Sequence, residues 1–215
     1  MSIRIILADD HCILRDSLAR SFEQETDIEV VGQTGDGLSA ISLVQKLMPD
    51  IIVMDIGMPE LNGMEATRRI AKEFPTVKVI GLSMHSSDKY VREMFKSGAS
   101  GYLLKSCPFE ELLEAVHSVA SGKTYISPSI GNVVVQEYIT AKSMDEKSAF
   151  TILSQREREV LQQLAEGKTT KQAATNLNIS PKTVEAHRLN IMSKLNIDNV
   201  AQLTKYAIQE GLTEA

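Results

Sequence analysis

The chain of 215 residues has no tryptophan, and aromatic residues make up only 5% of it. Its cores must therefore be aliphatic, filled by Ile, Val, Leu and the nine methionines, whose flexible thioethers pack irregular gaps. Cysteine is scarce as well. Cys12 and Cys107 lie far apart without metal-ligand partners at useful spacing, which argues against a disulfide framework or a zinc site, and both read as reduced structural thiols. No uninterrupted apolar run approaches the roughly 18 residues of a membrane span. The opening MSIRIILADDH sets two acids directly after a short apolar run, unlike a signal peptide. The expectation is a cytoplasmic chain with no membrane partner. Nor is there a strong charge of either sign, since the net formal charge is −5. That balance conceals an asymmetry: residues 1–120 hold 12 basic and 18 acidic side chains, net −6, whereas 151–215 hold 8 and 7, net +1. A nucleic-acid-binding half needs positive charge on one face only, so the overall balance does not exclude it.

What is present is a repeating alternation of short β-branched runs and longer amphipathic stretches. Strands are expected at 3–8, 28–34, 50–55, 77–83 and 100–105, with helices near 12–25, 36–47, 63–73, 87–97 and 108–121. IRIILA and DIIVMD are apolar almost throughout, as parallel strands covered on both faces must be. The expected fold is an α/β doubly wound (βα)5 parallel sheet in which ligands bind beyond the carboxyl ends of the strands. After 121 the pattern breaks at SGKTYISPS, resumes as one amphipathic stretch at 129–141, and loses periodicity through AKSMDEKSA. Beyond that, helical patterns at 155–166, 169–176, 181–195 and 199–210 form a small all-α domain. The resulting division is 1–121, a linker with one helix over 122–150, and 151–215.

Asp9 and Asp10 follow the first strand and Asp55 ends the third, so a central parallel sheet brings three carboxylates to one rim. Ser83 at the end of the fourth strand and Lys105 at the end of the fifth add a hydroxyl and an ammonium. Three carboxylates repel unless a hard divalent cation, magnesium or manganese, offsets their charge. Such a rim suits phosphoryl transfer onto a carboxylate: Asp55 attacks, Lys105 and Ser83 hold phosphoryl oxygens, and no separate general base is required. Taken singly, each residue has an ordinary reading as a helix cap, a solvated lysine or a strand-end serine. Their joint placement carries the inference. His11 and His85 adjoin the rim and read as solvated imidazoles.

ADDH, MDIGMPELNGME, the LS of 82–83 and GYLLK at 101–105 resemble the receiver domain of bacterial two-component response regulators, over residues 1–121. The resemblance implies that Asp55 is the phosphoacceptor, that Asp9 and Asp10 form the acidic pocket, and that the Gly57 carbonyl is a metal ligand. It also implies that Ser83 and Lys105 contact the phosphoryl group and that Tyr102 is the aromatic of a conformational switch.

In the last quarter, Ser154 with Glu157 reads as a capping box opening the 155–166 helix, and Ser180 followed by Pro181 opens another after the tight turn NLNI. On that helix Val184, Ile191 and Leu195 fall on the inner face, leaving Lys182, Ala186, Leu189, Asn190 and Ser193 outside. Any αα-hairpin could show this. The segment LSQREREVLQQLAEGKTTKQAATNLNISPKTVEAHRLNIMSKLNI, however, is similar to the LuxR-type helix-turn-helix of the NarL/FixJ subfamily. That resemblance implies a recognition helix at 181–195, with Lys182, Glu185, Ala186 and Leu189 facing the DNA groove. Thr169, Thr170, Lys171 and Lys194 would lie near phosphates, with Arg188 on the backbone too. Some relatives carry Lys where this chain has Glu185 and Leu189, so an operator cannot be carried over from them. Glu185 has two readings, acceptance from a cytosine amino group or a same-helix ion pair with Lys182 or Arg188.

The expectation is a two-component response regulator, phosphorylated on Asp55 by a sensor histidine kinase, homodimeric when active and bound to double-stranded promoter DNA. RNA polymerase is a further candidate partner, and no catalysis is expected beyond phosphorylation and dephosphorylation of Asp55 itself. Two other readings stand beside it. One is a magnesium phosphatase with the helical domain as substrate cap, which would have to work without an acid at Gly57. The other is a DNA binder indifferent to phosphorylation.

Overall fold

The computed structural model describes residues 2–131 and 149–213, which form two compact units. In the N-terminal unit, β1 (Ile3–Ala8), β2 (Ile28–Thr34), β3 (Ile51–Asp55), β4 (Lys78–Ser83) and β5 (Gly101–Leu104) alternate with α1 (Cys12–Phe22), α2 (Gly37–Leu47), α3 (Gly63–Glu73), α4 (Asp88–Lys96) and α5 (Phe109–Ala120). A short sixth strand, β6 (Tyr125–Ile126), closes a sheet of order β2-β1-β3-β4-β5-β6, with all pairs parallel. The sequence reading gives five strands and leaves Tyr125 and Ile126 in the linker. Two residues are too few to show a period, and only their pairing with Gly101 and Tyr102 makes them a strand.

The strands alternate between two buried faces. Ile5, Leu7, Ile51, Val53, Ile80 and Leu82 pack with Phe22, Leu112, Val116 and Val119 in one core. Ile6, Ile52, Met54 and Val79 are equally buried, as are Met64, Ile70 and Met94. With helices on both sides, β1, β3 and β4 have little solvated surface, which accounts for their apolar runs, whereas edge strand β2 exposes Glu29 and Gln33.

The C-terminal unit contains α6 (Ala149–Ile152), α7 (Gln155–Ala165), α8 (Thr170–Asn176), α9 (Pro181–Leu195) and α10 (Val200–Gln209). Its core joins Val160, Leu161 and Leu164 to Ala173, Leu177, Val184, Ile191, Leu203 and Ala207. The capping box at Ser154 and Glu157 is present, and a second, Thr169 with Gln172, opens α8. Helix α9 starts at Ser180 and Pro181 and stops at Asn196, which takes the left-handed conformation at φ 53°. Residues 128–131 are helical, while the rest of the helix expected at 129–141 and most of the aperiodic stretch at 141–150 lie outside the described residues. No helix among the described residues is long and apolar enough to cross a membrane.

Candidate functional site

The sheet order sets β1 beside β3, and the register pairs Ala8 with Met54, so one further residue brings Asp9 opposite Asp55. On the other side Asp55 pairs with Leu82, next to Ser83, and Ser83 pairs with Leu104, next to Lys105. Four strand ends therefore converge at the point where strand order reverses, the usual ligand position of doubly wound sheets.

Lys105 occupies the centre. Its Nζ donates to Asp55 Oδ2 at 2.7 Å and to Asp9 Oδ1 at 3.1 Å, and it lies 3.3 Å from His11 Nδ1. Asp9, Asp55 and Ser83 are buried. Asp9 Oδ2 is 3.0 Å from the same ammonium yet makes no hydrogen bond of acceptable angle, so a buried carboxylate oxygen keeps acceptor capacity in hand. Burial, and next the neighbouring Asp9 charge, push the Asp55 carboxyl up to about 6 despite Lys105 and the Gly57 amide, which donates to Asp55 Oδ1 at 3.2 Å. Burial works to lower the Lys105 ammonium, but Asp55 and Asp9 outweigh it and hold it above its ordinary value. One ammonium thus does not fully compensate two buried carboxylates.

Asp10 is at the edge, where its Oδ1 lies 2.8 Å from His11 Nδ1. Ligand atoms of Asp9, Asp10, His11 and Asp55 all fall within 4.8 Å of one another. Such an oxygen-rich set with an unsatisfied buried acceptor fits a hard divalent cation.

Tyr102 is fully buried, and its hydroxyl donates to the His85 carbonyl at 2.7 Å. Burial pushes that phenol up to about 12, against a hydrogen bond with Ser83. Ser83 Oγ accepts from the His85 amide at 3.0 Å, and the His85 ring stacks on Tyr90 with centroids 4.2 Å apart. His85 is therefore held at three points and is not the solvated imidazole of the sequence reading. His11 keeps that reading: its side chain is 57% exposed, although its ring lies beside Asp9, Asp10 and Lys105.

Three contributors escaped sequence reasoning. Arg15 Nη1 donates to the Asp9 carbonyl at 2.5 Å, tying α1 to the rim; its place one turn into the helix after β1 was the available signal. Gly63 begins α3 so close to β3 that a Cβ there would sit 1.9 Å from the Asp55 carbonyl oxygen. Asn62 caps the same helix by accepting from the Glu65 amide at 3.0 Å. Cys107 is half-buried with its thiol pushed up to about 11 by burial and then Glu111, whereas Cys12 is exposed at the start of α1 and not a core thiol.

In the C-terminal unit, Lys171, Lys182, Ala186 and Leu189 are exposed. The other candidate residues have partners within the unit. Thr169 caps α8, Thr170 Oγ1 donates to Glu185 Oε1 at 2.7 Å, and Arg188 Nη1 lies 3.7 Å from Glu185 Oε2. Lys194 Nζ donates to Glu157 Oε2 at 2.7 Å, the oxygen that also accepts from the Ser154 amide in the capping box. Of the two readings of Glu185, the structure contains the ion pair, with Arg188 as the partner.

A receiver rim on a doubly wound sheet, followed by a helix-turn-helix, defines a class, and comparison with known proteins agrees. The family model "Response regulator receiver domain" matches residues 5–117, and "Bacterial regulatory proteins, luxR family" matches 151–207. The chain is similar to the transcriptional regulatory protein DegU of Brevibacillus brevis, 39% identical over 97% of this chain and 94% of that one. It is likewise similar to the oxygen regulatory protein NreC of Staphylococcus carnosus, 37% identical over 99% of this chain and 100% of that one. Among solved structures, one of two RcsB dimers bound to two parallel DNAs matches at 26% identity and a TM-score of 0.61, covering 98% of this chain and 99% of that one. The chain belongs to the response regulators that join a receiver domain to a LuxR-family regulatory domain.

Proposed function

We propose that Asp55 accepts a phosphoryl group from a sensor histidine kinase and that this modification controls binding of the chain, as a homodimer, to double-stranded promoter DNA. The observation carrying this reading is the Lys105 ammonium, set 2.7 Å from Asp55 and 3.0 Å from Asp9 where four strand ends meet. Asp55 attacks phosphorus, and the bond between phosphorus and the donor breaks with its electron pair leaving on the donor. The nucleophile is a carboxylate and has no proton to lose, so no general base takes part. Lys105 and Ser83 hold the phosphoryl oxygens, and Lys105 exchanges its contact with Asp55 Oδ2 for one with the new dianion. Asp9, Asp10, Asp55 and the Gly57 carbonyl are the groups that would hold magnesium or manganese. When bound, the cation supplies neutralisation of the charge gathered on the transferred group. Gly57 offers no acid to protonate a leaving group, which weighs against turnover of small phosphate esters.

The Ser83 hydroxyl, shared with the His85 amide and Tyr102, links the rim to the switch aromatic: when Ser83 turns to the phosphoryl group, the Tyr102 and His85 contacts rearrange. Residues 1–121 are assigned to the receiver, 122–150 to the linker and 151–215 to the DNA-binding domain. In the last of these α9 is the recognition helix, presenting Lys182, Glu185, Ala186 and Leu189 to the groove, with Thr169, Thr170, Lys171, Arg188 and Lys194 toward the phosphates. Dimerisation sets two such helices about 10 base pairs apart, one turn of DNA. RNA polymerase is the partner to be expected at the promoter.

The test is incubation with a small phosphoryl donor and magnesium, followed by intact-mass measurement and DNA fragment selection. The wild type should gain one hydroxylamine-labile phosphoryl group and bind selected fragments more tightly, whereas Asp55→Asn should gain none. Equal labelling, or equal binding by both under phosphorylating conditions, sinks the reading.

A further inference from the structure

Helix α9 has an outer face whose chemistry differs from what its charged residues suggest. Glu185 is the acid at its centre, but each carboxylate oxygen already faces a donor, Thr170 Oγ1 at 2.7 Å and Arg188 Nη1 at 3.7 Å. The acid is fixed from α8 on one side and holds Arg188 on the other. What the helix presents outward is Lys182, Ala186, Leu189 and Asn190.

Leu189 is the anomaly in this set. It is 66% exposed, while Leu153, Leu161, Leu164, Leu177, Leu203 and Leu212 of the same unit are each 9% exposed or less. Three residues before it, Ala186 is exposed too, and side chains three apart on a helix are neighbours, roughly 5 to 6 Å apart at Cβ. The two make a small apolar step, with the exposed cations Lys182 and Lys171 nearby to meet phosphates. An anionic partner that offers an apolar group within a charged surface matches this face. In the DNA major groove that group is the thymine C5-methyl, which aliphatic side chains contact and which a pinned carboxylate cannot recognise.

Resting on the DNA-binding reading above, we propose that Leu189, flanked by Ala186, is a specificity-determining residue that reads a thymine methyl in each half-site. Glu185 is a positioning residue: Thr170 holds it, and it in turn aims Arg188. The half-site then carries a thymine at the Leu189 position, where a helix with lysine there would select a different base.

The test uses the phosphorylated full-length chain and the DNA fragment it selects. Each thymine of a half-site is replaced in turn by deoxyuridine, which removes only the methyl group and leaves base pairing intact. The wild type should weaken about fourfold per half-site at one position, the value expected for loss of one buried methyl. Leu189→Ala should weaken less than twofold at that same position while showing an unchanged circular dichroism melt, because residue 189 lies outside the core. Glu185→Gln should retain the methyl effect and, by releasing Arg188 from its aim at the phosphates, weaken binding to all sequences alike.

If DNA is bound but no thymine responds, or Leu189→Ala keeps the full methyl effect, the proposal fails and the DNA-binding reading stands. A shift in oligomeric state on Leu189→Ala with methyl discrimination intact assigns the residue to a protein contact and overturns it as well. A chain that enriches no DNA removes both readings together.

Discussion

Lys105 is the residue on which the acidic rim balances. It is buried with two carboxylates, and removing one partner from a buried charge cluster leaves the others uncompensated. Lys105→Gln should therefore lower the urea unfolding stability of the receiver by about 3 kcal/mol in metal-free buffer, with magnesium restoring part of the loss. Asp55→Asn should do the opposite. With the Asp55 carboxyl pushed up to about 6 by burial and Asp9, the fold disfavours its charge even beside Lys105. The neutral isostere should thus unfold at a higher urea concentration at neutral pH, and a lower midpoint would refute that balance. At the other end of the chain, Lys182 is exposed. Lys182→Ala should reduce the salt slope of DNA binding by roughly one while weakening all sequences alike.

Helix starts are where local sequence and site geometry meet. Gly63 allows α3 to begin against β3, since a Cβ would meet the Asp55 carbonyl oxygen at 1.9 Å. Gly63→Ala must push the helix away, and it should cost about 1 to 3 kcal/mol in chemical denaturation and slow phosphorylation of Asp55. The capping box of α7 gives a pH prediction. Burial acts to raise the Glu157 carboxyl, but the Lys194 ammonium and the Ser154 groups outweigh it and hold it below the ordinary 4.5. A carboxyl depressed in the folded state adds stability that is present above the unfolded value. That stability is lost as pH falls through the folded one. Acid unfolding of the C-terminal domain below about pH 4.5 should accordingly be less steep in Glu157→Gln than in the wild type. Identical acid limbs would show that Glu157 carries none of it.

At the level of the molecule, each unit has a hydrophobic core of its own, and the acidic rim belongs wholly to the first. Calorimetry should resolve the response to magnesium as a rise in the receiver transition alone, worth about 2.7 kcal/mol at a hundredfold excess over the dissociation constant. Chelation should reverse it, and Asp9→Asn together with Asp10→Asn should abolish it. The charge asymmetry between the halves, net −6 over 1–120 against +1 over 151–215, belongs to this scale too. A net negative receiver disfavours polyanions, and the C-terminal unit lacks that barrier.

Periodicity and strand-end chemistry are local properties, and they made much of this protein legible in its sequence. Apolar strands of five or six residues, the ADD and MD endings, and the caps at Ser154 and Ser180 each depend on neighbours within a few positions. The doubly wound sheet and the convergence of Asp9, Asp55, Ser83 and Lys105 follow from them, because parallel strands must bring their carboxyl ends to one edge. Other features depend on contacts across long stretches of chain, which no local pattern encodes. Strand β6 exists only because β5 offers it an open edge. Arg15 joins the rim through a bond to the Asp9 carbonyl, and His85 is fixed by Tyr102 from 17 residues away. Glu185 and Leu189 were both visible as departures from a pattern. Only the fold decided that Thr170 would hold the acid in place and leave the leucine facing outward.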